Sequence, residues 1–255
     1  MSQKRPRAAV AVPVYRLDLD EDERISFRHL RRYLGSYDTY IVAPDGLDVT
    51  LDGLPAKRFE PRFFRDVRSY SSLLLEPQFY SAFSSYDFVL VYQLDSLVLA
   101  DELVAWCARG YDYVGAPWTR RTPDGRVVLT GAGNGGFSLR RVASCLAVLG
   151  VARWPLARLG TGVRLWTALA RRAVVRRSFG QAFLFEDKFW SYEAPRLCPW
   201  FRVAPAETAL EFAFETEPRF CFERNDRRLP FGCHNWALYD RAFWEPHLLT
   251  RTLSA

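Results

Sequence analysis

Phe88-Val89-Leu90-Val91-Tyr92, running without a break into Gln93-Leu94-Asp95-Ser96, is the stretch whose reading decides the fold. Four apolar residues and a Tyr with no polar interruption read as a strand buried on both faces, the kind found inside a parallel sheet. Polar residues begin only at Gln93, and side-chain alternation places Gln93 and Asp95 on one face if extended geometry persists. In α/β sheets ligands bind just beyond the carboxyl ends of the strands. A carboxylate there can hold a divalent cation that bridges two phosphates. An Asp followed by Ser is also a common helix cap or turn, and spacing alone leaves both readings open.

The sequence on either side alternates in the same way. Ala8 to Val14 is a continuous apolar run and reads as a buried first strand. Asp18, Asp20 and Glu21 then precede Ile25, Phe27, Leu30, Tyr33 and Leu34, an amphipathic helix with acidic residues at its start and Gly35 at its end. Tyr40 to Ala43 reads as a second strand closed by Pro44, Asp45 and Gly46, and Tyr70 to Phe83 as helix restarted at Pro77. A helix over Asp101 to Arg109 and a strand near Tyr113 to Ala116 follow. Strands alternating with helices predict an α/β protein with a Rossmann-like sheet. Farther on, a glycine cluster from Gly131 to Gly136 leads into a strand at Phe137 to Leu139, a helix from Arg140 to Leu149, and a basic amphipathic helix from Gly162 to Arg177. No linker, repeat or composition break divides the 255 residues, so one domain is expected over 1–255.

Composition excludes whole classes. Apolar residues make up 49% and aromatics 15%, which suits a packed core and not a disordered or collagen-like chain. The longest uncharged stretch, Val127 to Leu139, has 13 residues, short of the roughly 20 needed to span a bilayer. The basic start at Lys4, Arg5 and Arg7 leads into strand-like residues and not into the apolar core of a secretory leader. Five cysteines without a C-x-x-C pair read as reduced, buried thiols of a cytosolic protein. The net charge of +6 favours anionic partners, but 32 of the 35 basic residues are Arg scattered along the chain with no nucleic-acid-binding motif, so no nucleic acid is expected.

Three further motifs carry chemistry. In the segment Gly131 to Gly136, glycines can admit a ligand close to the backbone and Asn134 can hydrogen-bond hydroxyls, or the segment is a flexible loop. Glu186-Asp187 opens a helix, where acidic residues favour the helix dipole; one of them can equally serve as a general base. His234, in the run Gly232-Cys233-His234-Asn235-Trp236, is a ligand candidate or a hydrogen-bonded structural histidine. In the basic segment, Trp166 with Arg171, Arg172, Arg176 and Arg177 suits either a packed surface helix or contact with an anionic membrane face.

Taken in order, Val12-Pro13-Val14-Tyr15-Arg16, Tyr70 through Leu75 with Phe79-Tyr80, Gln93-Leu94-Asp95-Ser96, Asp112 through Trp118, Gly133 through Arg140, Glu186-Asp187 and Phe231 through His234 resemble GT-A-fold glycosyltransferases. They are most similar to a little-characterised domain family of bacteria and fungi placed in that superfamily. The resemblance implies a GT-A type mixed sheet flanked by helices, with a nucleotide-sugar half over about 8–120 and an acceptor half over about 121–250. It implies transfer of a sugar, with inversion, from a nucleotide-diphosphate donor to a hydroxyl of a glycan or lipid-linked acceptor. Pro13, Val14, Tyr15, Asp45, Tyr70, Gln93, Asn134, Gly135 and Gly136 would bind the donor. Asp95 and His234 would hold Mn²⁺ or Mg²⁺, and Asp187 would be the base. A cytoplasmic site of action, with peripheral contact at the inner membrane face through 162–177, completes the expectation. One residue departs from the pattern: Gln93 stands where the superfamily's metal motif has its first Asp, which weakens the metal assignment. That departure keeps open a binding module without turnover. A nucleotidyltransferase is the other alternative, but it would need a basic, glycine-rich loop after the first strand, which Val14-Tyr15-Arg16-Leu17 does not offer.

Overall fold

The computed structural model describes residues 6–157 and 185–249, with side chains given through 152 in the first span. The segment 162–177, expected to form a basic helix, lies outside the described residues. Six strands form the central sheet: β1 (Ala8–Pro13), β2 (Asp38–Pro44), β3 (Ala56–Phe59), β4 (Phe88–Tyr92), β6 (Tyr113–Gly115) and β9 (Phe137–Arg141), in the order β3-β2-β1-β4-β9-β6. β1, β2, β3 and β4 run parallel, whereas β9 is antiparallel to both β4 and β6. The sheet is therefore mixed, with helices on both faces.

Alternation along the strands explains the unbroken apolar runs. Val10, Val12, Leu90 and Tyr92 pack on one face, against Leu30 and Leu34 of α1 (Glu21–Leu34) and Trp106 of α4 (Leu103–Ala108). Ala9, Ala11, Val89 and Val91 pack on the other. Their partners there include Leu73 of α2 (Val67–Leu73), Phe79 and Tyr80 of α3 (Pro77–Ser81), and Cys145 and Val148 of α5 (Val142–Ala157). A strand covered on both sides needs apolar residues at every position. α1 begins with a reciprocal cap: the Asp20 carboxylate accepts from the Glu23 backbone at 2.9 Å, and the Glu23 carboxylate accepts from the Asp20 backbone at 3.0 Å.

Two elements differ from the sequence expectation. The helix expected from Arg140 starts only at Val142, because Arg140 and Arg141 complete the ladder against Val89 and Phe88. The glycine cluster begins in the second strand of a hairpin of β7 (Pro117–Arg121) and β8 (Val127–Ala132), which sequence periodicity did not reveal.

A small second sheet arranges the far side of the site. β10 (Ala213–Phe214) is parallel to β11 (Gly232–Cys233), which is antiparallel to β5 (Leu97–Val98). Residues leaving β10 and β11 therefore emerge at the same end, next to the residues that enter β5.

Candidate active site

β1 and β4 are neighbours whose chain connections leave in opposite directions, so their carboxyl ends form the switch point of the sheet, where α/β proteins bind ligands. A cleft of about 380 Å³ opens there, lined by Pro13, Tyr15, Glu23, Phe64, Arg65, Asp66, Val67, Tyr70, Gln93, Leu94 and Asp95. Of the residues expected to bind a donor, Pro13, Tyr15, Tyr70 and Gln93 lie on its wall. Val14 does not: its side chain is in the core at 3% exposure, as alternation after Pro13 requires. Asp45 is exposed on the turn after β2 and is absent from the lining.

The second sheet brings His234 to Asp95. Leu97 pairs with Cys233, which sets the residues before β5 against those after β11. His234 Nε2 lies 3.3 Å from Asp95 Oδ1 and 3.1 Å from Gln93 Oε1. On the opposite edge of the ring, Nδ1 lies 2.9 Å from Oε1 of Glu215. Burial opposes charge on this imidazole, but in the absence of a cation Asp95 and Glu215 outweigh it and push the ring up to about 10.

The same geometry bears on a cation. Asp95 Oδ1 is buried with only the His234 Nε2 at 3.3 Å beside it, although the side chain as a whole is 47% exposed. Glu215 occupies Nδ1 and leaves Nε2 facing the Asp95 oxygen, where a cation would have to take the place of the Nε2 proton. One carboxylate oxygen, one imidazole nitrogen and the amide oxygen of Gln93 fit a divalent cation that takes further ligands from a diphosphate or water. No cluster of three His, Cys, Asp or Glu side chains suited to a metal occurs among the described residues, so this set alone does not close a coordination shell.

The glycine segment serves these side chains. A Cβ on Gly136 would stand 2.0 Å from His234 Nε2, and one on Gly135 would stand 2.1 Å from Glu186 Oε1. The two glycines admit the imidazole and the carboxylate to the loop. Both ends of the Asn134 amide are engaged within the protein: Nδ2 donates to Glu215 at 2.8 Å, and Oδ1 accepts from the Gly136 backbone at 3.0 Å. Asn134 thus holds the loop.

Glu186 and Asp187, adjacent in sequence, sit in opposite surroundings. Glu186 is buried and accepts from Arg140 at 2.8 Å and from the Ser71 hydroxyl at 3.1 Å. Asp187 has no guanidinium bound to it among the described residues: burial, then the charge of Glu186, pushes its carboxyl up to about 7, against the Lys188 backbone N–H that donates to it at 2.6 Å and the Lys188 charge. A buried carboxyl raised in this way is a mark of acid–base chemistry. Next to Asp187, the Lys188 ammonium lies 3.0 Å from the centre of the Trp118 ring, which stacks on Tyr192 at 5.6 Å.

Glu215 and Arg65 were not read from the sequence. Glu215 directly follows the short strand Ala213–Phe214, so the rule that singled out Asp95 after β4 would have found it had so short a strand been recognised. Arg65 is exposed on the cleft wall between the turn Pro61–Phe64 and α2, with nothing in the sequence to separate it from 31 other arginines.

The fold is α/β, with a cleft at the switch point of its sheet and the Asp95–His234 pair at the edge of that cleft. The chain belongs to the family described as protein of unknown function (DUF5672), whose model matches residues 53–234. No curated protein matches its sequence. Among solved structures, it is similar to a glycosyltransferase involved in the glycosylation of the major capsid of PBCV-1, at 13% identity and TM-score 0.48, over 95% of this chain and 98% of that one. It is also similar to the apo-form glycosyltransferase GlyE of Streptococcus pneumoniae, at 13% identity and TM-score 0.48, over 96% of this chain and 61% of that one. The chain thus spans 61% of the length of GlyE.

Proposed function

We propose that this protein transfers a sugar from a nucleotide-diphosphate donor to a hydroxyl acceptor, with inversion at the sugar carbon. The observation that supports the reading is the glycine segment, where His234, paired with Asp95, packs on Gly136 and Glu186 packs on Gly135, with the adjacent Asp187 carboxyl pushed up to about 7. The ordered motif set that resembles GT-A glycosyltransferases supplies the substrate class.

In this reading the donor lies in the cleft of Pro13, Tyr15 and Tyr70, and its diphosphate reaches toward Asp95. Asp95 and His234 would hold Mn²⁺ or Mg²⁺, which neutralises charge on the departing diphosphate when bound. Asp187 takes the acceptor's hydroxyl proton at a carboxylate oxygen as the hydroxyl attacks the sugar carbon from the face opposite the leaving group. An ordinary Asp titrates near 3.9 and is a poor base; a carboxyl near 7 is matched to the task at neutral pH. The Lys188–Trp118–Tyr192 wall borders the acceptor side, where an apolar face and a cation suit a polyhydroxylated ring.

Gln93 favours one alternative, a donor-binding module without turnover, because a neutral amide stands against His234 where a second carboxylate would strengthen cation binding. A thermal-shift panel of nucleotide sugars with and without Mn²⁺, followed by turnover assays on the donors that stabilise, tests both. Stabilisation with turnover supports the transferase, stabilisation without turnover supports the module, and no stabilisation by any donor rejects both.

A further inference from the structure

We infer that Glu215 is a positioning residue that fixes which edge of the His234 ring faces Asp95 and locks the glycine segment to that ring. A single oxygen, Oε1, lies 2.9 Å from His234 Nδ1, 2.8 Å from Asn134 Nδ2 and 3.2 Å from Asn235 Nδ2. The residue is 8% exposed, so water offers those donors little substitute. The contacts close a circuit. Glu215 holds Asn134, Asn134 holds the Gly136 backbone, and the space left by the missing Gly136 side chain is filled by the His234 ring that Glu215 also holds.

Glu215 touches neither the cleft lining nor Asp95 among the described contacts; its contacts reach the site through His234 and Asn134, and its charge also acts on Asp187 and Lys188. With Nδ1 engaged, the ring has one orientation in which Nε2 faces Asp95 Oδ1 and Gln93 Oε1. Without Glu215 the buried Nδ1 loses its acceptor, and the ring is free to turn that edge toward another one. A carboxylate behind a metal-binding imidazole is worth about 10- to 100-fold in metal affinity. What His234 then holds rests on the donor-site reading; that Glu215 orients it does not.

The test uses two readouts. In the ¹⁵N-histidine spectrum of the full chain, the His234 Nδ1 proton should be slowly exchanging and shifted downfield. Glu215→Ala should abolish that signal, and Glu215→Gln, which keeps a neutral acceptor, should retain it with faster exchange. Manganese binding followed by electron paramagnetic resonance should weaken at least about tenfold in Glu215→Ala and recover in part in Glu215→Gln. Should Glu215→Ala fail to fold, Glu215→Gln decides alone: an unchanged ring proton overturns the proposal. So does manganese affinity equal to wild type in Glu215→Ala when His234→Ala has lost it. If even the wild type binds no manganese, the metal reading fails, and the ring-proton readout still decides Glu215.

Discussion

Arg140 and Glu186 meet at 2.8 Å with their side chains 0% and 8% exposed, one residue before the carboxyl on which the proposed chemistry depends. Arg140 also donates to the Tyr80 hydroxyl at 3.1 Å and to Ser138 Oγ at 3.1 Å, so its charge is dispersed over β9, α3 and the turn at Glu186. Arg140 compensates Glu186, whereas among the described residues Asp187 has only the Lys188 backbone N–H and charge set against its burial and the charge of Glu186.

Breaking the pair from either side strands a buried charge. Arg140→Met and Glu186→Gln are each expected to cost about 3–5 kcal/mol in urea unfolding. Joint replacement, Arg140→Met with Glu186→Gln, should cost less than the sum of the singles. Additive losses would show that the two charges are not coupled.

Gly135→Ala and Gly136→Ala should each abolish nearly all turnover, since the added methyl would meet Glu186 Oε1 or His234 Nε2. Gly150, within α5 with nothing near its missing Cβ, is the control: Gly150→Ala should stabilise by about 0.5–1 kcal/mol and leave turnover unchanged. Thermal melts alongside initial rates separate the effects. Retained turnover in both site variants would remove the packing role given to these glycines.

The Asp187 carboxyl gives a pH signature with a definite sign. Its folded value of about 7 lies above the ordinary 3.8, so the native state holds this proton over the interval in which the unfolded chain has released it. This contribution to stability is therefore lost as pH rises from about 4 to about 7. Asp187→Asn should melt higher than wild type at pH 8 and show a smaller difference at pH 4. Wild-type turnover should rise through pH 7 as the base ionises. A variant that melts below wild type at pH 8 would contradict the assignment.

Arg65 is the cation on the described cleft wall, whereas Arg16 is tied to Asp20 at 2.9 Å and Glu23 at 2.7 Å, and Arg140 is buried with Glu186. Arg65→Gln should weaken binding of a nucleoside diphosphate several-fold, and more at low salt than at high salt. Arg16→Gln should leave it near wild type. Equal effects of the two variants in isothermal titration would mean that neither guanidinium is singled out by the phosphates.

How much of this was legible in the sequence follows from the range of the interactions. β1 and β4 announce themselves because burial on two faces demands apolar residues at every step, and Asp95 and Asp187 stand next to local signals that point to them. Glu215 does not, because its importance comes from contacts with Asn134, 81 residues away, and His234, 19 residues away. The glycine segment read equally as a close approach to a ligand or as a flexible loop. What approaches is Glu186 and His234, and only the folded chain shows that. Val14 shows the converse limit, since the end of a strand alternates between cleft and core and sequence alone does not say which residue turns inward.

The most direct measurement of the central claim is the rate of nucleoside-diphosphate release from the donor that best stabilises the protein, in the presence of Mn²⁺ and a hydroxyl acceptor. Wild type, Asp95→Asn and Asp187→Asn are compared. The account predicts acceptor-dependent release by wild type and a loss of at least about a hundredfold in kcat for Asp187→Asn with donor affinity nearly intact. For Asp95→Asn it predicts weakened donor binding in Mn²⁺. Turnover by Asp187→Asn within a few-fold of wild type would contradict it.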